Sequence, residues 1–261
     1  MEHSVALVTG ASAGIGTALA TGLAARGHDL VLVARRVERL EQIAVDLRAA
    51  HDVQVEVLPA DLESESGVAT VEARLGRDDA PIELLVNNAG FGTSGRFHEL
   101  PVAGEEAEIR LNVLALVRLT HAALVPMVER GHGGVINVSS VAAYQPTPDG
   151  ATYGATKAFV SSFTNAIHEE LRGTGVKAMV LAPGFTHTEF HERAMVDIDA
   201  GMPEFLWQSA EEVAEAGLKA YERGRAVCVP GAHNRVATVF SGTLPAGITR
   251  RVAALVTRRS H

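Results

Sequence analysis

At 261 residues, 47% of them apolar, the chain can bury a sizeable core, and its one cysteine, Cys228, excludes an intramolecular disulfide framework and fits a reducing compartment. A formal net charge of −8 argues against nucleic acid as a partner, and no uninterrupted apolar stretch approaches the roughly 20 residues of a membrane span. Met1-Glu2-His3-Ser4 has neither the basic start nor the cleavage site of a signal peptide, so a cytoplasmic location without membrane contact is expected.

In chain order, short β-branched runs alternate with longer helical patterns. Strands are predicted at 5–9, 30–34, 53–59, 82–86, 135–139, 176–181 and 226–229. Helices are predicted at 15–26, 37–50, 64–75, 104–130, 151–172 and 211–223. Ser209 with Glu212 three residues on has capping-box spacing before the last of these. Continuous apolar strands separated by helices imply a parallel sheet covered on both faces, and right-handed crossovers make it doubly wound. The expected fold is therefore α/β and Rossmann-like, with about seven strands and helices on both faces. Without repeat or linker, residues 1–261 read as one domain. A substrate lid is expected at about 185–210 and a variable tail at about 231–261.

The first strand runs into Thr9-Gly10-Ala11-Ser12-Ala13-Gly14-Ile15-Gly16, and a helix follows. Glycines in such a turn let a pyrophosphate approach the backbone, and the helix N-terminus offers free N–H donors. Gly10, Ser12, Gly14, Ile15 and Gly16 are thus candidates for holding a dinucleotide. The second strand ends in Ala34-Arg35-Arg36, where NAD enzymes carry an acidic residue. Two guanidinium groups there would attract a ribose 2′-phosphate, with no carboxylate to repel it, so NADP(H) is the expected cofactor.

Tyr153 and Lys157 stand one helical turn apart on one face. An ammonium beside a phenol would lower the phenol's pKa toward working pH and make it an acid/base. Ser140 closes the fifth strand, where its hydroxyl could donate to a substrate oxygen or simply form a strand-end turn. Asn112 sits inside a helical pattern that asparagine does not favour; it could bend the helix, hold a water, or face solvent.

With these residues assembled, the chain resembles the short-chain dehydrogenase/reductase family. The resemblance covers at least residues 4 to 188. It rests on Thr9-Gly10-x-x-x-Gly14-x-Gly16, Asp61-Leu62, Asn87-Asn88-Ala89-Gly90, Asn112, Ser140, Tyr153-x-x-x-Lys157 and Pro183-Gly184-x-x-x-Thr188. It implies hydride transfer between NADP(H) and a small-molecule carbonyl or secondary alcohol. Tyr153 would be the general acid/base, and Lys157 would bind the nicotinamide ribose and tune it. Ser140 would orient the substrate oxygen, and Asn112 would hold a water in a relay to Lys157. Asp61 and Leu62 would contact the adenine. Asn88, Ala89 and Gly90 would shape the cofactor floor, and Pro183, Gly184 and Thr188 would meet the carboxamide or pyrophosphate.

Many family members follow the seventh strand with Asp-Gly-Gly, which packs into a tetramer. Here Pro230-Gly231-Ala232-His233-Asn234 follows Val229, so a homo-oligomer is expected with a dimer favoured. Phe185, His187, Phe190 and Trp207 are candidates for shaping the substrate pocket. His187 and His191 are four apart, but no further ligand is well placed, and no metal is expected. Cys228 reads as an inert core residue. The tail at 248–259 alternates apolar residues with arginines and reads as a packing helix. A non-catalytic dinucleotide-binding sensor or scaffold is the alternative from another class. Among enzymes, a ketoacyl reductase or a steroid or lipid-alcohol dehydrogenase remains open.

Overall fold

A computed structural model describes residues 4–188 and 204–243. The proposed tail helix at 248–259, together with Phe190 and His191, lies outside the described residues.

Seven strands form one parallel sheet in the order β3-β2-β1-β4-β5-β6-β7. They are β1 Val5–Thr9, β2 Asp29–Ala34, β3 Val55–Pro59, β4 Ile82–Asn87, β5 Gly133–Val138, β6 Val176–Leu181 and β7 Val227–Cys228. Strand β1 pairs with β2 and β4, and Val8 lies between Leu32 and Val86. The order reverses at β1/β4, which leaves a crevice beyond the carboxyl ends of those strands. The last strand is shorter than the sequence suggests. Cys228 is half-buried there against the core, and burial raises its thiol pKa.

Period-two alternation sends neighbouring side chains to opposite faces, and both faces are buried. Ala6, Val8, Leu30, Leu32, Val86, Ile136 and Leu181 point to one side. They pack under α1 (Gly14–Ala24), α2 (Val37–His51) and the helix Ala210–Glu222. Leu7, Val31, Val33, Leu85 and Val135 point to the other side, under α3 (Glu65–Leu75) and the helix Leu116–Arg130.

The predicted helix at 104–130 is three segments: α4 (Val102–Ile109), a π-helical turn (Arg110–Ala115) and α5 (Leu116–Arg130). A π-turn widens the helix by one residue, and such turns recur at functional sites. Here it carries Asn112, which is buried; the solvent-facing alternative is excluded. By length and mean hydropathy this whole stretch would be apolar enough to cross a membrane, although polar and charged residues interrupt it throughout. Its apolar residues Leu116, Leu119, Ala123 and Met127 instead fill the core beneath the sheet. Gly131, in the left-handed region at φ 77°, ends α5 by donating to Met127 O at 3.0 Å.

Helix α6 spans Ala151–Glu170, α7 spans Ala210–Glu222 and α8 spans Ala232–Thr243. The capping box before α7 forms: Glu212 N donates to Ser209 Oγ at 3.1 Å, and Ser209 N donates to Glu212 Oε2 at 3.0 Å.

Candidate active site

The carboxyl ends of the strands build the site. At β1, the buried Thr9 hydroxyl accepts from the backbone N–H groups of Asn88 and Ala89, each at 3.0 Å, and donates to Val86 O at 3.3 Å. Asn88 Nδ2 returns to Thr9 O at 3.0 Å and Gly10 O at 3.3 Å. The glycine turn and the Asn88–Gly90 segment are thus one unit, coupled through a residue the sequence reading quoted but gave no role.

The turn fits a phosphate. Gly10 and Gly14 hold φ values of 65° and 51°, which side chains disfavour. Gly16 lies so close to Gly10 O that a Cβ would stand 2.2 Å away, and one on Gly14 would strike Thr188 Cγ2 at 2.7 Å. Thr188 therefore roofs the turn. Ala13, at the N-cap of α1, offers no side-chain cap, and the first turn holds no acidic residue. Its N–H groups face the cradle uncapped, as an anion site requires. Ser12 and Ile15 lie on this turn.

At the end of β2, Arg36 Nη2 donates to Ser12 O at 3.3 Å and so crosses the turn. Arg35 points to the other side. Its Nη1 donates to Glu63 Oε1 at 2.8 Å and lies 4.0 Å from Asp61 Oδ1. The sequence expectation of no carboxylate nearby is therefore corrected: the loop after β3 brings two. Asp61 accepts from Glu63 N at 3.1 Å, and Leu62 is buried behind it.

Asn112 Nδ2 donates to Phe91 O at 2.8 Å and to Thr156 Oγ1 at 3.1 Å, while its Oδ1 accepts from Phe91 N at 3.2 Å. It ties the loop after β4 to α6. A Cβ on Gly90 would stand 2.9 Å from Asn112 Oδ1 and 3.5 Å from Lys157 Nζ, so glycine lets this backbone pass between them. A Cβ on Gly92 would be 3.0 Å from Tyr153 Cδ2, so that backbone backs the phenol ring.

Strand β5 ends at Val138, two residues before Ser140. Ser140 is the N-cap of a 3-10 turn at Val141–Tyr144, and its Oγ accepts from Ala142 N at 3.1 Å. The strand-end turn forms, and Ser140 also hydrogen-bonds the Tyr153 hydroxyl. Val141 N donates to Pro183 O at 2.9 Å, which locks this turn to Pro183-Gly184 after β6. Gly184 in turn packs against Asn234 of α8, whose Nδ2 reaches Gln208 Oε1 at 3.0 Å and Pro230 O at 2.9 Å.

Lys157 is buried, 5.7 Å from the centre of the Tyr153 ring, and Nζ donates to Val138 O at 3.0 Å. Burial brings its pKa down to about 8, partly offset by Glu108. Burial pushes the Tyr153 phenol up to about 12, against the hydrogen bond from Ser140, and Glu108 adds to the rise. The expected lowering by Lys157 is thus corrected. Desolvation of a phenolate outweighs a neighbouring cation whose hydrogen bond goes to a backbone carbonyl.

Glu105 and Glu108 were not anticipated. Both are buried in α4, seven and four residues before Asn112, and their spacing along one helix face was the available signal. Trp207 stacks on His187 at 4.6 Å and meets Phe185 at 5.6 Å, and His187 Nε2 lies 3.3 Å from Glu204. Among the described residues no group of three or more His, Cys, Asp or Glu could hold a metal.

Comparison with known proteins matches residues 4–198 to the family model described as short chain dehydrogenase. Sulfoacetaldehyde reductase 2 of Chromohalobacter salexigens is 37% identical over 188 residues, covering 71% of this chain and 74% of that protein. A short-chain dehydrogenase from Sphingobium yanoikuyae in complex with NADPH superimposes with a TM-score of 0.83 at 36% identity, covering 93% of this chain and 96% of that one. The bulky-bulky ketone specific alcohol dehydrogenase from Comamonas testosteroni gives 0.80 at 32%, covering 93% and 94%.

Proposed function

We propose that this chain, which belongs to the short-chain dehydrogenase family, is an NADP(H)-dependent oxidoreductase that interconverts a carbonyl and a secondary alcohol with Tyr153 as general acid/base. The observation that carries this reading is the hydrogen bond between Tyr153 and Ser140, one turn from buried Lys157, at the crevice where the strand order reverses. The NADPH complex of the Sphingobium yanoikuyae relative supports the cofactor. The glycine cradle and the uncapped α1 N-terminus would hold the pyrophosphate. Arg36, with Arg35, would meet the 2′-phosphate, and Asp61 and Leu62 would border the adenine. Asn88, Ala89 and Gly90 would floor the nicotinamide end, where Lys157 meets the ribose and Pro183, Gly184 and Thr188 close over it.

When bound, the nicotinamide supplies or accepts the hydride. Tyr153 donates its hydroxyl proton to the carbonyl oxygen in reduction and takes it back from the alcohol in oxidation. A phenol held near 12 is a proton donor at neutral pH, which suits the reductive direction. Ser140 aims the substrate oxygen at Tyr153. Asn112 fixes the Phe91 backbone and, through Thr156, the turn of α6 that carries Tyr153. Phe185, His187 and Trp207 give the mouth an aromatic wall that suits a carbonyl with a bulky substituent. Phe159, exposed and stacked on Phe163 along α6, supports a homodimer, and the lone cysteine supports a reducing, cytoplasmic setting.

The test is fluorescence titration with NADPH and NADH, followed by a panel of aldehydes and ketones with wild type and Tyr153→Phe. Tighter NADPH binding, turnover by wild type, and binding without turnover by Tyr153→Phe support the reading. Binding with no turnover of any carbonyl would instead favour a sensor.

A further inference from the structure

Glu105, Glu108 and Asn112 form one stripe facing α6 and the loop after β4. Asn112 holds Phe91 by both backbone groups, and the two glutamates hold Thr93. Between these anchors Gly92 backs the Tyr153 ring. Thr152, the residue before Tyr153, donates its hydroxyl to Glu105 Oε2. The stripe thus reaches Tyr153 from its loop side and its helix side.

A proton count shows what the glutamates must be. Thr93 Oγ1 lies 2.6 Å from Glu105 Oε1 and 2.9 Å from Glu108 Oε2. A threonine hydroxyl has one proton to donate, and an ionised carboxylate only accepts. With both glutamates ionised, one of the two O···O contacts would hold no proton. Glu105 accepts from a hydroxyl at each oxygen, and its contact with Thr93 has the length of a charge-assisted O–H···O⁻ bond. The Thr93 proton therefore goes to Glu105, and the missing one sits on Glu108. Burial agrees. Glu108 is 0% exposed; its Oε2 also accepts from Thr93 N at 2.9 Å, and among the described residues its Oε1 has no hydrogen-bond partner, an arrangement that penalises a charge far more than a neutral acid. Desolvation raises its pKa, against the bonds from Thr93 and the charge of Lys157.

We propose that Glu108 works as a neutral, protonated acid and is a positioning residue for Tyr153: it fastens the 91–93 loop behind the phenol and keeps a second negative charge out of the space around Tyr153 and Lys157. The titratable groups that face it are Glu105 on its own helix and Lys157 and Tyr153 on α6. Ionised, Glu108 would oppose the phenolate; neutral, it leaves Glu105 as the single negative charge of the pair. The effect on turnover rests on the reaction proposed above, but the protonation does not.

Infrared difference spectra of wild type against Glu108→Gln test the proton directly. At neutral pH, wild type should show the carbonyl stretch of a protonated carboxylic acid that the variant lacks, and the band should fade as pH rises. Its absence overturns the proposal. Kinetics test the positioning. Glutamine can bond Thr93 as a neutral acid does, so Glu108→Gln should keep kcat at neutral pH close to wild type. Glu108→Leu, which cannot bond Thr93, should lower kcat by about tenfold or more, on the order of one lost hydrogen bond to a charged or buried group, with NADPH affinity retained. A Glu108→Gln variant that folds, binds NADPH and is as impaired as Glu108→Leu would mean that the charge is needed, and the proposal fails. If Glu108→Leu does not fold, the infrared band and the Glu108→Gln rates still decide. If wild type reduces no carbonyl, the proposed reaction falls, while the infrared band still rules on Glu108.

Discussion

Replacing Thr9 by Val keeps the shape of a fully buried side chain and removes one oxygen. That oxygen accepts two backbone N–H groups, from Asn88 and Ala89, and donates to Val86 O. A buried donor left without its acceptor costs roughly 1–3 kcal/mol. Two such losses, less about 1 kcal/mol for the added apolar burial, give a net destabilisation of roughly 1–5 kcal/mol. For a chain of this size that lowers Tm by about 2–10 °C, at about 2 °C per kcal/mol. Thr9→Ser restores the acceptor and should recover most of the loss. The glycine turn and the Asn88–Gly90 floor are coupled through this hydroxyl, so NADPH binding should weaken in Thr9→Val and return in Thr9→Ser. Urea unfolding followed by circular dichroism, beside a fluorescence titration with NADPH, reads both. A Thr9→Val protein within about 0.5 kcal/mol of wild type would refute the reasoning, since ordinary surface substitutions move stability by that much.

Three further outcomes are expected. Tyr153→Phe should lower kcat by roughly 10²–10⁴-fold, the usual range for a positioned acid/base, with NADPH affinity retained; a single-digit loss would place the proton donor elsewhere. Arg36→Ala should weaken NADPH binding by about tenfold or more, on the scale of one charge-assisted contact, and leave NADH binding nearly unchanged. Arg35→Ala should matter less, because Arg35 already meets Glu63; titrations that rank the two the other way would contradict this assignment. Burial holds the folded pKa of Lys157 at about 8, below the ordinary lysine value of 10.5, so between those values the unfolded chain binds more protons. Its contribution to stability therefore rises with pH from about 8, until the raised pKa of Tyr153 begins to oppose it above 10. Denaturation at pH 7.5, 8.5 and 9.5 should show that rise in wild type and lose it in Lys157→Met; parallel curves would mean that Lys157 is not desolvated.

The order of elements was legible along the chain, because each strand is a short β-branched run and each helix a longer amphipathic one, and local periodicity is a property of neighbouring residues. The glycine turn, the Tyr153–Lys157 spacing and Ser140 could be read for the same reason: each motif is local, and its chemistry needs those residue types close in sequence. Tertiary structure decided what depends on burial and on residues far apart. The π-turn at Asn112 follows from a side chain that bonds Phe91 and Thr156, 21 and 44 residues away. The carboxylates beside Arg35 arrive from the loop after β3, 28 residues on in the case of Glu63. The sequence suggested that Lys157 would bring the Tyr153 phenol down; packing reversed the sign, because desolvation acts on a group through everything that surrounds it. Glu105 and Glu108 look like ordinary helix-surface acids in the sequence, and only the packing of α4 against α6 and the 91–93 loop buries them and sets two carboxyl groups against one threonine hydroxyl.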